Sequence, residues 1–306
     1  MVRRLLLSAS RNSAIANLVK TQPLSRAVVR RFVAGEDTED AVATSRSLIG
    51  ENLLVTLDHL GEDTIEVAQA KGVTKAYLSL LGRLHDEGLT IGAEVSVKLS
   101  AVGQALDDGL CVDNARQIVE AATRAGTTVT FDAEDHTTTD ATLATLVTVR
   151  ADFPETGVAV QAYLRRSAGD IEDLIRSGAR VRLCKGAYKE SESVAFQSRR
   201  DVDLAYVRLL VRLMADGAYP MVATHDPRLV AIATSLARKL GRSSDTFEYQ
   251  MLFGVRPAEQ RRLAAAGNRM RIYVPYGQEW YGYLVRRIAE RPANLAFFLR
   301  ALATRG

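Results

Sequence analysis

Arg286 and Arg287 stand side by side at the end of the stretch Arg271-Ile-Tyr-Val-Pro-Tyr-Gly-Gln-Glu-Trp-Tyr-Gly-Tyr-Leu-Val-Arg-Arg-Ile-Ala-Glu-Arg-Pro. A guanidinium presents a planar fork of donors that matches a carboxylate, and neighbouring tyrosine hydroxyls can orient that anion without adding charge. The chemistry offered is capture of a small carboxylate; taken alone, two adjacent arginines read equally as solvated surface charge. Two further cations lie inside apolar runs, Lys98 within Val95-Ser-Val-Lys-Leu and Arg182 within Val181-Arg-Leu-Cys-Lys. Burying a charge is costly without a partner, so both call for anions. Asp132 and a bound ligand are the candidates, with a structural ion pair as the alternative. The histidines His59, His85, His136 and His225 show no metal-ligand spacing, and no nucleophile elbow supports a Ser/His/Asp triad.

The elements that must position these residues repeat one pattern. A short Val/Ile/Leu-rich run, a polar or Gly/Pro break and a segment of helical spacing recur from about Asn52 onward. Eight runs are visible: Leu53 to Leu57, Glu94 to Leu99, Thr128 to Phe131, Val158 to Tyr163, Arg180 to Leu183, Met221 to Thr224, Phe247 to Leu252 and Arg271 to Val274. Strands alternating with helices predict parallel pairing, and eight such units over about 250 residues predict a (β/α)8 TIM barrel. The last strand is expected to break at Pro275 and Gly277 and continue as the helix carrying the arginine pair. An open doubly wound sheet is less favoured, since neither common nucleotide fingerprint of such sheets occurs. Residues 1–45 are read as an N-terminal helical arm and 46–306 as one catalytic domain.

Barrel active sites gather at the C-terminal strand ends. There the sequence places Glu62, Lys98, Asp132 and Glu134, Gln161, Arg182 and Lys185, His225, and Tyr273, on seven of the eight strands in turn. His225, inside Thr224-His225-Asp226-Pro227, reads equally as the approach to a helix N-cap. With 47% hydrophobic and 25% charged residues, composition is that of a globular protein, and a net charge of +4 gives little reason to expect nucleic acid. No acidic residue precedes Glu36, whereas Arg3, Arg4, Arg11, Lys20, Arg26, Arg30 and Arg31 are basic. The arm reads as a cap on the barrel, with a transit peptide or a membrane-surface helix as alternatives. No run approaches the ~20 apolar residues of a membrane span. Two cysteines, Cys111 and Cys184, are too few for a disulfide framework, so a reducing cytoplasmic setting is expected.

In chain order these segments resemble the proline dehydrogenase family, the flavin-dependent enzymes that also form one activity of bacterial proline utilisation proteins. The resemblance runs from about Arg30 to the end. It rests on Val97-Lys-Leu-Ser, Phe131-Asp-Ala-Glu, Val160-Gln-Ala-Tyr-Leu-Arg-Arg, Arg182-Leu-Cys-Lys-Gly-Ala-Tyr, Ala223-Thr-His, Phe247-Glu-Tyr-Gln-Met-Leu-Phe-Gly and the Arg271 to Pro292 stretch. It implies a distorted (β/α)8 barrel holding FAD across its mouth, with the last helix carrying Arg286 and Arg287 to the substrate carboxylate. It further implies Lys98 as a carboxylate ligand, Asp132 as the organiser of Lys98 and Tyr273, and Gln161 and Arg182 against the isoalloxazine. Ala133, Lys185, Gly186, Ala187, Thr224 and His225 match positions contacting the rest of FAD. Tyr188, Leu252, Tyr273 and Tyr283 would wall the substrate ring, and Glu62 would pair with an arginine of the closing helix.

The implied reaction is oxidation of L-proline to 1-pyrroline-5-carboxylate, with a membrane quinone reoxidising the flavin and a separate pyrroline-5-carboxylate dehydrogenase acting next. A peripheral contact with the inner face of the cell membrane would go with that acceptor. Two positions depart from the family's usual pattern: Lys189 stands where tryptophan often follows Gly-Ala-Tyr, and Asp226 where asparagine often follows Thr-His. Two rival readings are a Schiff-base lyase using Lys98 or Lys185 and a non-catalytic amino-acid sensor.

Overall fold

The computed structural model describes residues 29–61, 64–215 and 217–283. Residues 1–28 of the expected arm, Glu62, Arg286 and Arg287 lie outside the described residues. Eight parallel strands close in chain order into a single barrel: β1 (Leu54–His59), β2 (Ala93–Val97), β3 (Val129–Phe131), β4 (Gly157–Gln161), β5 (Arg180–Cys184), β6 (Tyr219–Ala223), β7 (Glu248–Leu252) and β8 (Met270–Tyr276). Each overlaps one of the eight apolar runs. Around them lie α1 (Thr38–Gly50), α2 (Val67–Asp86), α3 (Asp108–Arg124), α4 (Thr139–Arg150), α5 (Ser167–Arg176), α6 (Arg199–Ala215), α7 (Pro227–Lys239) and α8 (Pro257–Ala265). Local signals set their ends. Asp226 caps α7 by accepting from the Arg228 N–H, Pro227 occupies its first turn, and Arg238 and Lys239 complement the dipole in its last.

Strand alternation divides the barrel into two chemically different layers. Val55, Leu57, Val95, Val97, Val181, Leu183, Ile272 and Val274 pack outward with Tyr77, Leu80, Ile118 and Leu210 of the helices, and this shell is the apolar core. Burying each such aliphatic side chain contributes about 1.5–3 kcal/mol. The alternate positions, Glu94, Ser96, Arg180, Arg182, Glu248, Gln250, Arg271 and Tyr273, are polar and bond to one another or, for Tyr273, to Asp132 inside the barrel.

Low in this interior, Glu94 meets Arg180 (2.9 Å), Arg182 (3.5 Å) and Arg271 (3.7 Å), and Arg271 makes a two-pronged pair with Glu248 at 2.7 and 3.0 Å. Burial would raise the Glu94 carboxyl, but the pull of Arg271, Arg180 and Arg182 overcomes it and holds the group at about 2.

The barrel closes where β8 pairs with β1, from Leu54 opposite Arg271 to His59 opposite Tyr276. Contrary to the expected break, β8 continues through Pro275. The ladder with β7 ends at Tyr273, so the missing proline N–H leaves no β7 partner short, and the Pro275 carbonyl accepts from the Ala34 N–H at 2.9 Å. The earliest described residues thus strap the seam. Phe32 and Val33 are buried, the Gly277 N–H donates to the Gly35 carbonyl, and the Trp280 indole donates to Glu36 at 2.9 Å. Gly254 (φ +71°) lies so close beneath the strap that a Cβ there would sit 1.7 Å from the Arg31 carbonyl oxygen. Among the described residues, no helix is long and apolar enough to cross a membrane.

Candidate active site

Asp132 follows β3, and its backbone N–H donates to the Val97 carbonyl, which fixes it at the mouth beside β2. Its carboxylate collects three donors: the Ser96 hydroxyl at 2.8 Å and Arg182 Nη1 at 2.6 Å on one oxygen, the Tyr273 hydroxyl at 2.6 Å on the other. Arg182, 4% exposed, also donates from Nη1 to Ser96 Oγ (2.6 Å) and from Nε to Gln250 Oε1 (2.6 Å), and its guanidinium carbon lies 5.4 Å from the Tyr273 ring centroid. Burial, then the negative charges of Asp132 and Asp58, push the Tyr273 hydroxyl well above its usual range, so it remains a donor. Asp132, Arg182 and Tyr273 therefore form one rigid, fully hydrogen-bonded unit.

Lys98, just past β2, places its ammonium 2.6 Å from both oxygens of Asp58 on β1. One ion pair of Lys98 thus runs to a residue not singled out in the sequence, while Asp132 meets Arg182, Ser96 and Tyr273. Asp58 is buried, and its desolvation raises the carboxyl against the pull of Lys98. Its signal was present: an aspartate in an apolar strand meets the criterion that selected Lys98 and Arg182.

Gln161, the last residue of β4, donates to the Glu134 carbonyl at 2.7 Å and accepts from the Ala187 N–H at 3.4 Å, tying the loop after β3 to the loop after β5. The Glu134 carboxylate accepts from the Ser100 N–H and hydroxyl. Gly186 has φ +115°, and a Cβ there would lie 2.2 Å from the Tyr163 ring, so only glycine lets the chain pass this close to Tyr163, two residues beyond β4. Lys185 bonds Asp203 (2.5 Å) and Asp226 (3.1 Å), and Arg228 bonds the same two carboxylates. Asp226, the departure from the family's usual asparagine, is lowered by Arg228 and Lys185 against its desolvation.

Thr224 is buried and accepts from the Asp226 N–H; His225 Nε2 accepts from the Leu252 N–H at 2.9 Å and thereby joins β6 to β7. That bond sets the tautomer, with the proton on Nδ1. Ala133 lies one residue beyond Asp132, Tyr188 is half-buried in the loop after β5, and Tyr283 is buried in the helical turn after β8. Sequence reasoning had passed over Ser96, Gln250, Glu94, Arg180, Glu248, Arg271, Asp203 and Asp58, all of which hold a singled-out residue or its partner. Among the described residues, no cluster of three His, Cys, Asp or Glu side chains is suited to a metal ion.

At the mouth the two cations Lys98 and Arg182 are thus held in place by the carboxylates of Asp58 and Asp132. The family model described as proline dehydrogenase matches residues 41–300. Proline dehydrogenase 1 of Bacillus subtilis (strain 168) is 37% identical over 302 residues, covering 99% of each chain. The proline dehydrogenase of Deinococcus radiodurans is 36% identical over 307 residues, covering 99% of this chain and 98% of its own. Among solved structures, proline utilization A of Bdellovibrio bacteriovorus inactivated by N-propargylglycine matches in fold with a TM-score of 0.80 at 24% identity, over 86% of this chain and 32% of that one. A variant of Bradyrhizobium japonicum proline utilization A gives 0.76 at 25% identity, over 92% of this chain and 32% of that one. This chain spans about a third of those two longer proteins. With a family model spanning most of its length and near-complete coverage of 36–37% identical relatives, the chain belongs to the proline dehydrogenase family of oxidoreductases.

Proposed function

We propose that this chain oxidises L-proline to 1-pyrroline-5-carboxylate with FAD as cofactor and a membrane quinone as final acceptor, the first step from proline towards glutamate. The observation that carries the reading is Arg182, a buried and fully partnered cation in the middle of β5, tied to Asp132 at the barrel mouth, in a chain of this family. The donor set fits FAD: Arg182 and Gln161 lie on adjacent strands, and Gly186 brings backbone against Tyr163, just past β4, where a Cβ has no room. Lys185 suits the pyrophosphate, although Asp203 and Asp226 already share its ammonium. Ala133, Ala187, Thr224 and His225 complete the cradle. When bound, FAD supplies the acceptor for a hydride.

The remaining work belongs to side chains. Arg286, Arg287 and Lys98 hold the substrate carboxylate, and that orientation is worth several kcal/mol in favourable cases. Tyr188, Leu252, Tyr273 and Tyr283 wall the ring and exclude water, with Glu62 as a gate. Asp132 keeps Arg182 and Tyr273 in place. The ring carbon next to nitrogen loses its hydrogen with the bonding electrons, the neutral amine nitrogen loses its proton, and a C=N bond forms. A Schiff-base reading gains nothing from the lysines: Lys98 and Lys185 both sit in ion pairs with aspartates, which an amine nucleophile would have to leave.

An anaerobic visible spectrum of the FAD-loaded protein, before and after L-proline, tests the reading. Bleaching of the flavin band is expected. In Arg286→Met the same bleaching should need at least about 30-fold more proline, the equivalent of the ~2 kcal/mol or more lost with a charge-paired partner. Protein that stays colourless after reconstitution, or yellow protein untouched by proline, would sink the proposal. The basic arm is proposed to touch the membrane that holds the quinone. Deleting residues 1–30 should weaken binding to anionic vesicles, and unchanged binding would remove that contact.

A further inference from the structure

Gln250 lies inside the barrel, 3% exposed, on the same face of β7 as Glu248 two residues earlier. Its amide is used at both ends. The oxygen accepts from Arg182 Nε at 2.6 Å, and the nitrogen donates to Glu248 Oε1 at 2.6 Å. Only one orientation of the amide satisfies both neighbours, because a guanidinium can only donate and a carboxylate can only accept. Glu248 is in turn fully buried and clamped by both prongs of Arg271, so the Gln250 amide cannot swing.

We infer that Gln250 is a positioning residue, which aims the Arg182 guanidinium and so fixes the positive charge that the mouth presents to the flavin. The inference rests on the flavin reading proposed above. Arg182 has two short anchors on different edges of its plane, Nη1 on Ser96 and Asp132, and Nε on Gln250; its Nη2 contacts to Thr56 and Glu94 are long, both 3.5 Å. With the Nε anchor removed, the plane is free to pivot about Nη1. Charge also explains why an amide stands here. Three arginines, Arg180, Arg182 and Arg271, already balance three carboxylates, Glu94, Asp132 and Glu248, in this connected network. A neutral residue relays geometry from Glu248 to Arg182 without adding charge.

The test is the two-electron potential of bound flavin in full-length, FAD-loaded Gln250→Met, which keeps bulk and loses both hydrogen bonds. Gln250→Asn is run beside it, since its amide is one methylene too short to span both neighbours. Each is expected to disfavour reduced flavin at least tenfold, about 30 mV for a two-electron couple. With that shift, kcat should fall about tenfold while KM for proline stays within about threefold, the mark of an interaction used mainly in the transition state. Folded, loaded variants whose equilibrium lies within about twofold of the parent would overturn the inference. Loss of flavin or of the fold in both variants would make Gln250 a framework residue and overturn it too. A parent that proline bleaches, beside variants with parent-like potentials, sinks this inference alone; a parent that never binds flavin sinks both.

Discussion

Arg182→Met is expected to slow flavin reduction by proline about 10²–10³-fold, the range seen when one fixed electrostatic donor is removed from a developing charge. Stopped-flow mixing of FAD-loaded protein with proline measures it. The substitution also strips a partner from Asp132 and from Glu94, and a buried carboxylate left short of its cation costs on the order of 3–5 kcal/mol. The two effects separate through Arg182→Lys. A lysine keeps the charge but cannot engage Gln250, Ser96 and Asp132 along two edges at once, so it should recover part of the stability and less of the rate. A folded, loaded Arg182→Met with parent-like reduction would remove Arg182 from the chemistry.

Glu94→Gln should have the largest effect on the fold. Glu94 is the shared anion of Arg180, Arg182 and Arg271, and its loss leaves three buried cations competing for Glu248 and Asp132. A cost of about 3–5 kcal/mol at pH 7 is expected from urea melts. The pH dependence gives a second check. Because the folded-state carboxyl sits at about 2 against an ordinary 4.5, its contribution is present above pH 4.5 and is lost as pH falls towards 2. That loss is on the order of 3 kcal/mol in the parent. The variant should lack this part of the acid slope. Equal slopes in parent and variant would show that Glu94 is not what holds the barrel interior together in acid.

The strands were legible because each is a short apolar run between breaks, and in a barrel sheathed by helices such runs are what a strand must be. Lys98 and Arg182 were legible for the converse reason, as charges where burial is costly. Their partners were harder to see. Glu94 and Arg180 lie on β2 and β5, and Arg182 and Gln250 on β5 and β7, so each pair meets only after the sheet has closed on itself. Alternation tells which residues share a face but not which face is the inside, since both faces of these strands are buried. Pro275 resembled the end of a strand, and that impression failed because neighbouring segments, β1 against β8 and the strap at Ala34, complete what the local sequence leaves open.

The seam between β1 and β8 also sets an order of events at the ribosome. His59 emerges long before Tyr276, its partner in the register. At roughly 5–20 residues per second, the edge of β1 waits on the order of ten to forty seconds for β8. During that wait the newborn chain carries an unpaired strand edge and half of a charge network whose counter-ions are still unmade. The strap at residues 29–36 can dock only after Pro275 and Gly277 exist, so the earliest described residues to be synthesised are among the last to find their place.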